Sequence, residues 1–194
     1  GGYEVEVFAD EIDRTCAGVG RFLDSGDHRR WNDSDATLIY HHAIAWPKGE
    51  RLIEASPAKV VIRYHNITPA RFFSRYSEGH YRACKEGEAS TRRLANLPRA
   101  WFLGDSVFNC DELIRLGAPA ARTAALAPFH ATEDLARVPF DAPTLDRYKD
   151  GTANILFVGG LKPNKGHLRA LGVLAEYRRW SNAPARLIFA GKVD

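Results

Sequence analysis

Phe157-Val158-Gly159-Gly160-Leu161-Lys162-Pro163-Asn164-Lys165-Gly166-His167 runs together the end of an apolar strand, a glycine turn and the start of a helix. The strand is the apolar run 154–158, of the kind that parallel sheets bury on both faces. An amphipathic helix is expected over 165–180, with Leu168, Leu171, Leu174 and Ala175 on its apolar side, and a second strand over 185–190. Strand, helix and strand make a βαβ unit with a right-handed crossover, and ligands of such sheets bind beyond the carboxyl ends of the strands. Unpaired N–H groups and the positive end of the helix dipole attract an anion at that turn. Lys165 adds a full charge there, and Asn164 is a candidate helix cap. Taken alone, a Gly-Gly turn is more often a plain βα connection with a surface lysine, and neither GxxxxGK[ST] nor GxGxxG is present.

The same alternation recurs upstream. Strands are expected over 3–9, 36–40, 58–64, 100–103 and, briefly, 123–128, with a polar segment containing Asp24-Ser25-Gly26-Asp27 after the first. Pro69 forbids continuation of the third of these strands. Helical sequence covers 70–97, broken at Gly79 and Gly87, and then 107–116, where Ser106 is the candidate N-cap and Gly117 and Pro119 the stop. The polar stretch up to 153, with Pro139 and Pro143, reads as a linker. The expectation is an α/β chain: an N-terminal Rossmann-like sheet domain over 1–135 whose first strand lies outside the sequence, a linker over 136–153, and a partial second domain over 154–194. The 41 residues of that last piece are too few to close a core around a parallel pair.

Composition bounds the function. With 194 residues, 45% hydrophobic and 26% charged, the chain falls among ordinary globular proteins, and no apolar run approaches the length of a membrane span. Three dispersed cysteines, Cys16, Cys84 and Cys110, form no disulfide frame, which favours a reducing, cytoplasmic setting. The net charge of +3 is uneven: residues 1–50 carry five Lys/Arg against ten Asp/Glu, residues 51–100 ten against four, and residues 101–194 twelve against ten. A basic middle suits a phosphate-bearing molecule, an anionic membrane surface, nucleic acid or simply a solvated helix face. Zinc is disfavoured because the seven histidines show no HxxxH or Cys/His spacing. No Ser-His-Asp or Cys-His-Asn order and no DxD pair after a strand points to a hydrolase or a metal-dependent transferase.

The glycine-lysine stretch resembles the segment opening the second domain of GT-B fold glycosyltransferases of family 4. His65-Asn66-Ile67-Thr68-Pro69 after a strand, Gly104-Asp105-Ser106-Val107-Phe108-Asn109 with Glu112-Leu113 behind it, and Leu126-Ala127-Pro128-Phe129 before the linker recur in this order in one bacterial branch of that family. The resemblance runs over roughly residues 36–194. It implies a GT-B-like fold, a Rossmann-type parallel sheet domain followed by the first βαβ unit of a second one. It also implies a metal-independent enzyme that needs no cofactor and moves a sugar, with retention, from a nucleotide-diphosphate donor to a glycan, lipid-linked or small-molecule acceptor.

On that resemblance Lys165 binds the donor phosphate, with Gly159 and Gly160 forming the turn that faces it, and His65 is the catalytic histidine that contacts the transferred sugar. His41, His42 and Asn66 fall on the acceptor side; of two adjacent strand-end histidines, one is expected to face the cleft and the other to pack against the sheet. Family members commonly place an arginine where Gly160 stands. Their glycine-rich loop after the first strand and their late EX7E element have no counterpart here; Glu78 and Glu86 share that spacing only by coincidence. This chain alone is therefore expected to show little or no turnover. The implied setting is the cytoplasm, with peripheral contact at the inner membrane surface and no nucleic-acid partner. The competing reading is a nucleic-acid or anionic-surface binding module built on residues 71–99, where Arg71, Arg75, Arg82, Arg92, Arg93 and Arg99 interleave with Phe72, Phe73, Tyr76 and Tyr81. The blander account of the same region is a helix with aromatics inside and arginines outside. A third reading, a sugar-nucleotide epimerase on a similar sheet, places its catalytic acids outside these residues.

Overall fold

A computed structural model of the protein describes residues 2–23 and 31–192. The polar stretch 24–27 lies outside the described residues. Four parallel strands, β3 (Thr37–His42), β4 (Lys59–Tyr64), β5 (Trp101–Gly104) and β6 (Thr123–Ala125), pair in chain order as one sheet. They follow a short parallel pair, β1 (Val7–Ala9) and β2 (Gly20–Phe22). The first strand is shorter than the alternation over 3–9 suggests: Tyr3 and Val5 are exposed and pairing begins at Val7.

Three helices connect the four strands: α1 (Pro47–Ala55), α2 (Glu78–Ala95) and α3 (Val107–Arg115). When parallel strands follow one another in one direction across a sheet, right-handed crossovers put every connecting helix on the same face. The burial agrees. Tyr40, Val60, Ile62, Tyr64 and Phe102 pack with Ile53 of α1, Leu94 and Ala95 of α2 and Leu113 of α3 in one core. On the opposite face Ile39 is 60% and Trp101 53% exposed.

Local chemistry explains the helix limits. Ser77 and Ser106 cap α2 and α3 by accepting from the His80 and Asn109 N–H groups at 3.3 Å. Helix α2 passes unbroken through Gly79 and Gly87, contrary to the sequence reading. Gly87 is there for packing: a Cβ on it would stand 3.0 Å from the Ile67 side chain, so the bare backbone lets Ile67 press against the helix. Glu50 of α1, nearly buried, accepts from Ser90 Oγ and Arg93 Nη2 of α2, both at 2.6 Å, and from the Trp46 N–H. Burial alone pushes that carboxyl up; the hydrogen bonds outweigh it and hold the group below its ordinary value.

From residue 124 to residue 147 every residue is exposed, and two short helices, α4 (Thr132–Leu135) and α5 (Ala142–Arg147), occupy the stretch read as a linker. The chain then forms β7 (Ala153–Val158), α6 (His167–Ser181) and β8 (Ala185–Ala190), with β7 and β8 parallel and in register over six pairs. Among the described residues no helix is long and apolar enough to cross a membrane.

Candidate functional site

The carboxyl ends of β3, β4 and β5 lie side by side. The ladder sets His41 beside Arg63, and it continues one rung further, the His65 N–H donating to His42 C=O at 3.0 Å and the Asp105 N–H to Tyr64 C=O at 3.3 Å. Side chains alternate along a strand, so His41, Arg63, His65 and Asp105 share the face away from the helices. There they form a continuous polar chain. Arg63 Nη2 stands 2.7 Å from Asp105 Oδ1, the other carboxylate oxygen is 3.1 Å from His65 Nδ1, and His65 Nε2 is 2.8 Å from His41 Nδ1. Arg63 is 6% exposed, which fixes the carboxylate from its inner side. The two imidazoles lie 15° from parallel with centroids 5.0 Å apart. With a 2.8 Å nitrogen contact, that separation means the rings meet edge to edge, nearly in one plane. Burial, then His65 and Arg63, push His41 below the usual histidine range, against the pull of Asp105.

The two neighbouring histidines separate as the alternation requires. His41 is exposed at this edge, whereas His42 is 0% exposed and points into the helix layer, where Nε2 meets Thr91 Oγ1 at 2.8 Å. The assignment of His42 to the acceptor side is therefore corrected: it is a core residue. Asn66 is exposed in a left-handed conformation, φ 71°, which asparagine tolerates, and it forms the bend after His65. Tyr64 Oη donates to Glu112 Oε2 at 2.7 Å and accepts from the Ile67 N–H, holding that bend on the sheet.

The second feature is the turn after β7. Gly159 has φ 153° and its N–H donates to Ala190 C=O at 2.9 Å. A Cβ on Gly191 would strike the Gly159 carbonyl, so the two glycine backbones are in direct contact. Pro163–Lys165 form a single 3₁₀ turn, Gly166 turns left-handed at φ 80°, and α6 begins at His167 rather than at Lys165. Lys165 thus sits two residues ahead of the first helical residue. It is exposed and borders a groove beside β7 with Phe157, Asn164 and Arg169. Among the described residues no side-chain hydrogen bond caps the start of α6. Asn164 is not the cap. Its Nδ2 reaches instead toward Thr68 Oγ1, 3.5 Å away in the loop that follows His65.

The arginine and aromatic region does not form one free cationic surface. Arg82 pairs with Glu78 and Arg93 with Glu50, both at 2.6 Å, while Arg99 donates to the carbonyls of Ile53, Glu54 and Ser56. Phe73 is in the core and Arg71 lies over the Phe72 ring at 5.2 Å. Among the described residues no group of three or more His, Cys, Asp or Glu is arranged to hold a metal ion. Arg63 and Asp105 are the functional candidates that sequence reasoning passed over. The signal was present: Asp105 follows a strand end just as His65 does, one strand away. Compared with known protein families and with curated protein sequences, the chain matches none.

Proposed function

We propose that this chain contributes to a glycosyltransferase of the GT-B, family 4 type, moving a sugar from a nucleotide-diphosphate donor to an acceptor. One observation carries the reading. Asn164, next to Lys165 in the glycine turn of the second βαβ unit, approaches Thr68, three residues after His65 in the first sheet. The glycine turn ahead of α6 and the loop after the strand-end imidazole thus come from different sheets and meet at this contact, which supports a donor phosphate at the first facing a sugar held from the second. The diphosphate would lie at Lys165 and the uncapped α6 terminus, where charge and N–H groups stabilise the negative charge that grows as the glycosyl bond breaks. The His65 chain would orient the sugar from the facing side. With Gly160 in the place of a second cation, affinity for the diphosphate depends heavily on Lys165.

Calorimetric titration with UDP and GDP tests this. Saturable binding of at least one nucleotide is expected, weakened about tenfold to a hundredfold in Lys165→Ala, the worth of one hydrogen bond to a charged group. Absence of saturable binding to both nucleotides, or binding indifferent to Lys165→Ala, overturns the proposal. The nucleic-acid reading has less support, since Arg82, Arg93 and Arg99 already have partners within the fold.

A further inference from the structure

The polar chain at the strand ends has a direction, and that direction decides which imidazole meets a ligand. Asp105 is a carboxylate with Arg63 against one oxygen, and a carboxylate only accepts hydrogen bonds. His65 Nδ1, 3.1 Å from the other oxygen, must then be the N–H donor. In a neutral imidazole the second nitrogen is consequently a bare acceptor. His65 Nε2 can engage His41 Nδ1 at 2.8 Å only if His41 Nδ1 carries its proton, which leaves His41 Nε2 as the lone-pair nitrogen. Both nitrogens of His65 are thereby occupied within the fold. His41 is the exposed end, and His65, only about a third exposed, stands behind it.

We propose that His41 Nε2, not His65, is the nitrogen presented to ligand, as a hydrogen-bond acceptor for a hydroxyl group of a bound sugar, with His65, Asp105 and Arg63 acting as positioning residues. This deepens the transferase reading and rests on it for the identity of the hydroxyl compound; the tautomer order itself does not. The edge-to-edge, nearly coplanar rings are the geometry of an N–H···N bond, and the lowered proton affinity of His41 keeps its outer nitrogen bare near neutrality. The logic is that of a catalytic triad, in which an aspartate fixes an imidazole in one tautomer, extended here by one further ring.

Two measurements on the 194-residue chain test the order without any sugar. Long-range proton–nitrogen NMR of the imidazoles is expected to show His65 and His41 both protonated at Nδ1 and bare at Nε2; an Nε2–H form of either overturns the proposal. Diethyl pyrocarbonate, which acylates bare imidazole nitrogens, is expected to modify His41 about tenfold faster than His65 at about pH 7.5, since His65 must first break a hydrogen bond. In His41→Phe the modification of His65 is expected to rise about tenfold because its Nε2 is released. Faster modification of His65 in the native chain, or no change on His41→Phe, refutes the order. Loss of nucleotide binding would refute the transferase reading while leaving these results standing, so the two failures are distinct.

Discussion

Strands β4 and β7 are each six residues long, parallel to their neighbours and followed by a loop and a helix, yet they end in different circumstances. In β4, Val60, Ile62 and Tyr64 are essentially inaccessible beneath three helices. In β7 the apolar run Ile155-Leu156-Phe157-Val158 is at least as continuous, but Leu156 is 61% and Val158 74% exposed, and among the described residues from 153 onward only Ala185 is buried. Hydrophobic pattern selects the element, whereas burial needs layers. One helix over two strands covers part of one face, and the apolar area removed from water, hence the stabilisation, is correspondingly small.

The largest expected effect is on the covered side. Phe102→Ala removes a side chain that is 1% exposed at the centre of the first core and should cost about 3–5 kcal/mol in denaturant unfolding. Phe157, only partly buried against the rings of His167 and Phe189, is the matching probe on the other side.

The next effect is electrostatic. Burial pushes the His42 imidazole down to about 4, whereas in the unfolded chain it titrates near its ordinary value of about 6.5. The unfolded state therefore binds that proton more readily. The contribution of His42 is complete above about pH 6.5 and is lost as the pH falls toward 4, by about 3 kcal/mol across the window. His42→Leu should flatten this segment of the stability curve. Thr91 remains satisfied in the variant because its hydroxyl donates to Gly87 C=O at 2.9 Å. An unchanged slope would mean that His42 does not sit neutral in the core.

A smaller loss is expected at the junction of sheet and helix. Gly104→Ala would put a methyl 2.9 Å from Cys110 Sγ and 3.0 Å from the Cys110 backbone nitrogen, and should destabilise by about 1–3 kcal/mol as α3 is pushed off the end of β5. Smallest of all, Phe157→Ala should shift the main transition by about 1 kcal/mol or less. Were it to cost as much as Phe102→Ala, the two sheets would stand or fall as one unit and the contrast between them would be void.

Much of the architecture was legible from patterns of two kinds. Short apolar runs ended by His65-Asn66, Gly104-Asp105 and Gly159-Gly160 marked the parallel strands, and Ser106 with Gly117 marked the limits of α3, because caps and apolar runs act over a few residues. The start of α6 was misread by two residues because Lys165 and Asn164 look like a first turn; the left-handed Gly166 delays the helix, and that conformation follows from φ, not composition. The break expected at Gly87 failed for a tertiary reason, the close approach of Ile67. At the site, His65 and Lys165 stood out by position after strands. Asp105 and Arg63 did not, since their roles exist only once three strand ends are aligned.

Alternation with a period of two, written into residues 37–42, already required that His41 and His42 face opposite ways. Which of them meets solvent was settled by the layer of helices, which gathered on the His42 side because consecutive right-handed crossovers fall on one face of the sheet. Local sequence fixes a side chain's direction relative to its neighbours, but only packing decides what lies in that direction, and so what the side chain can do.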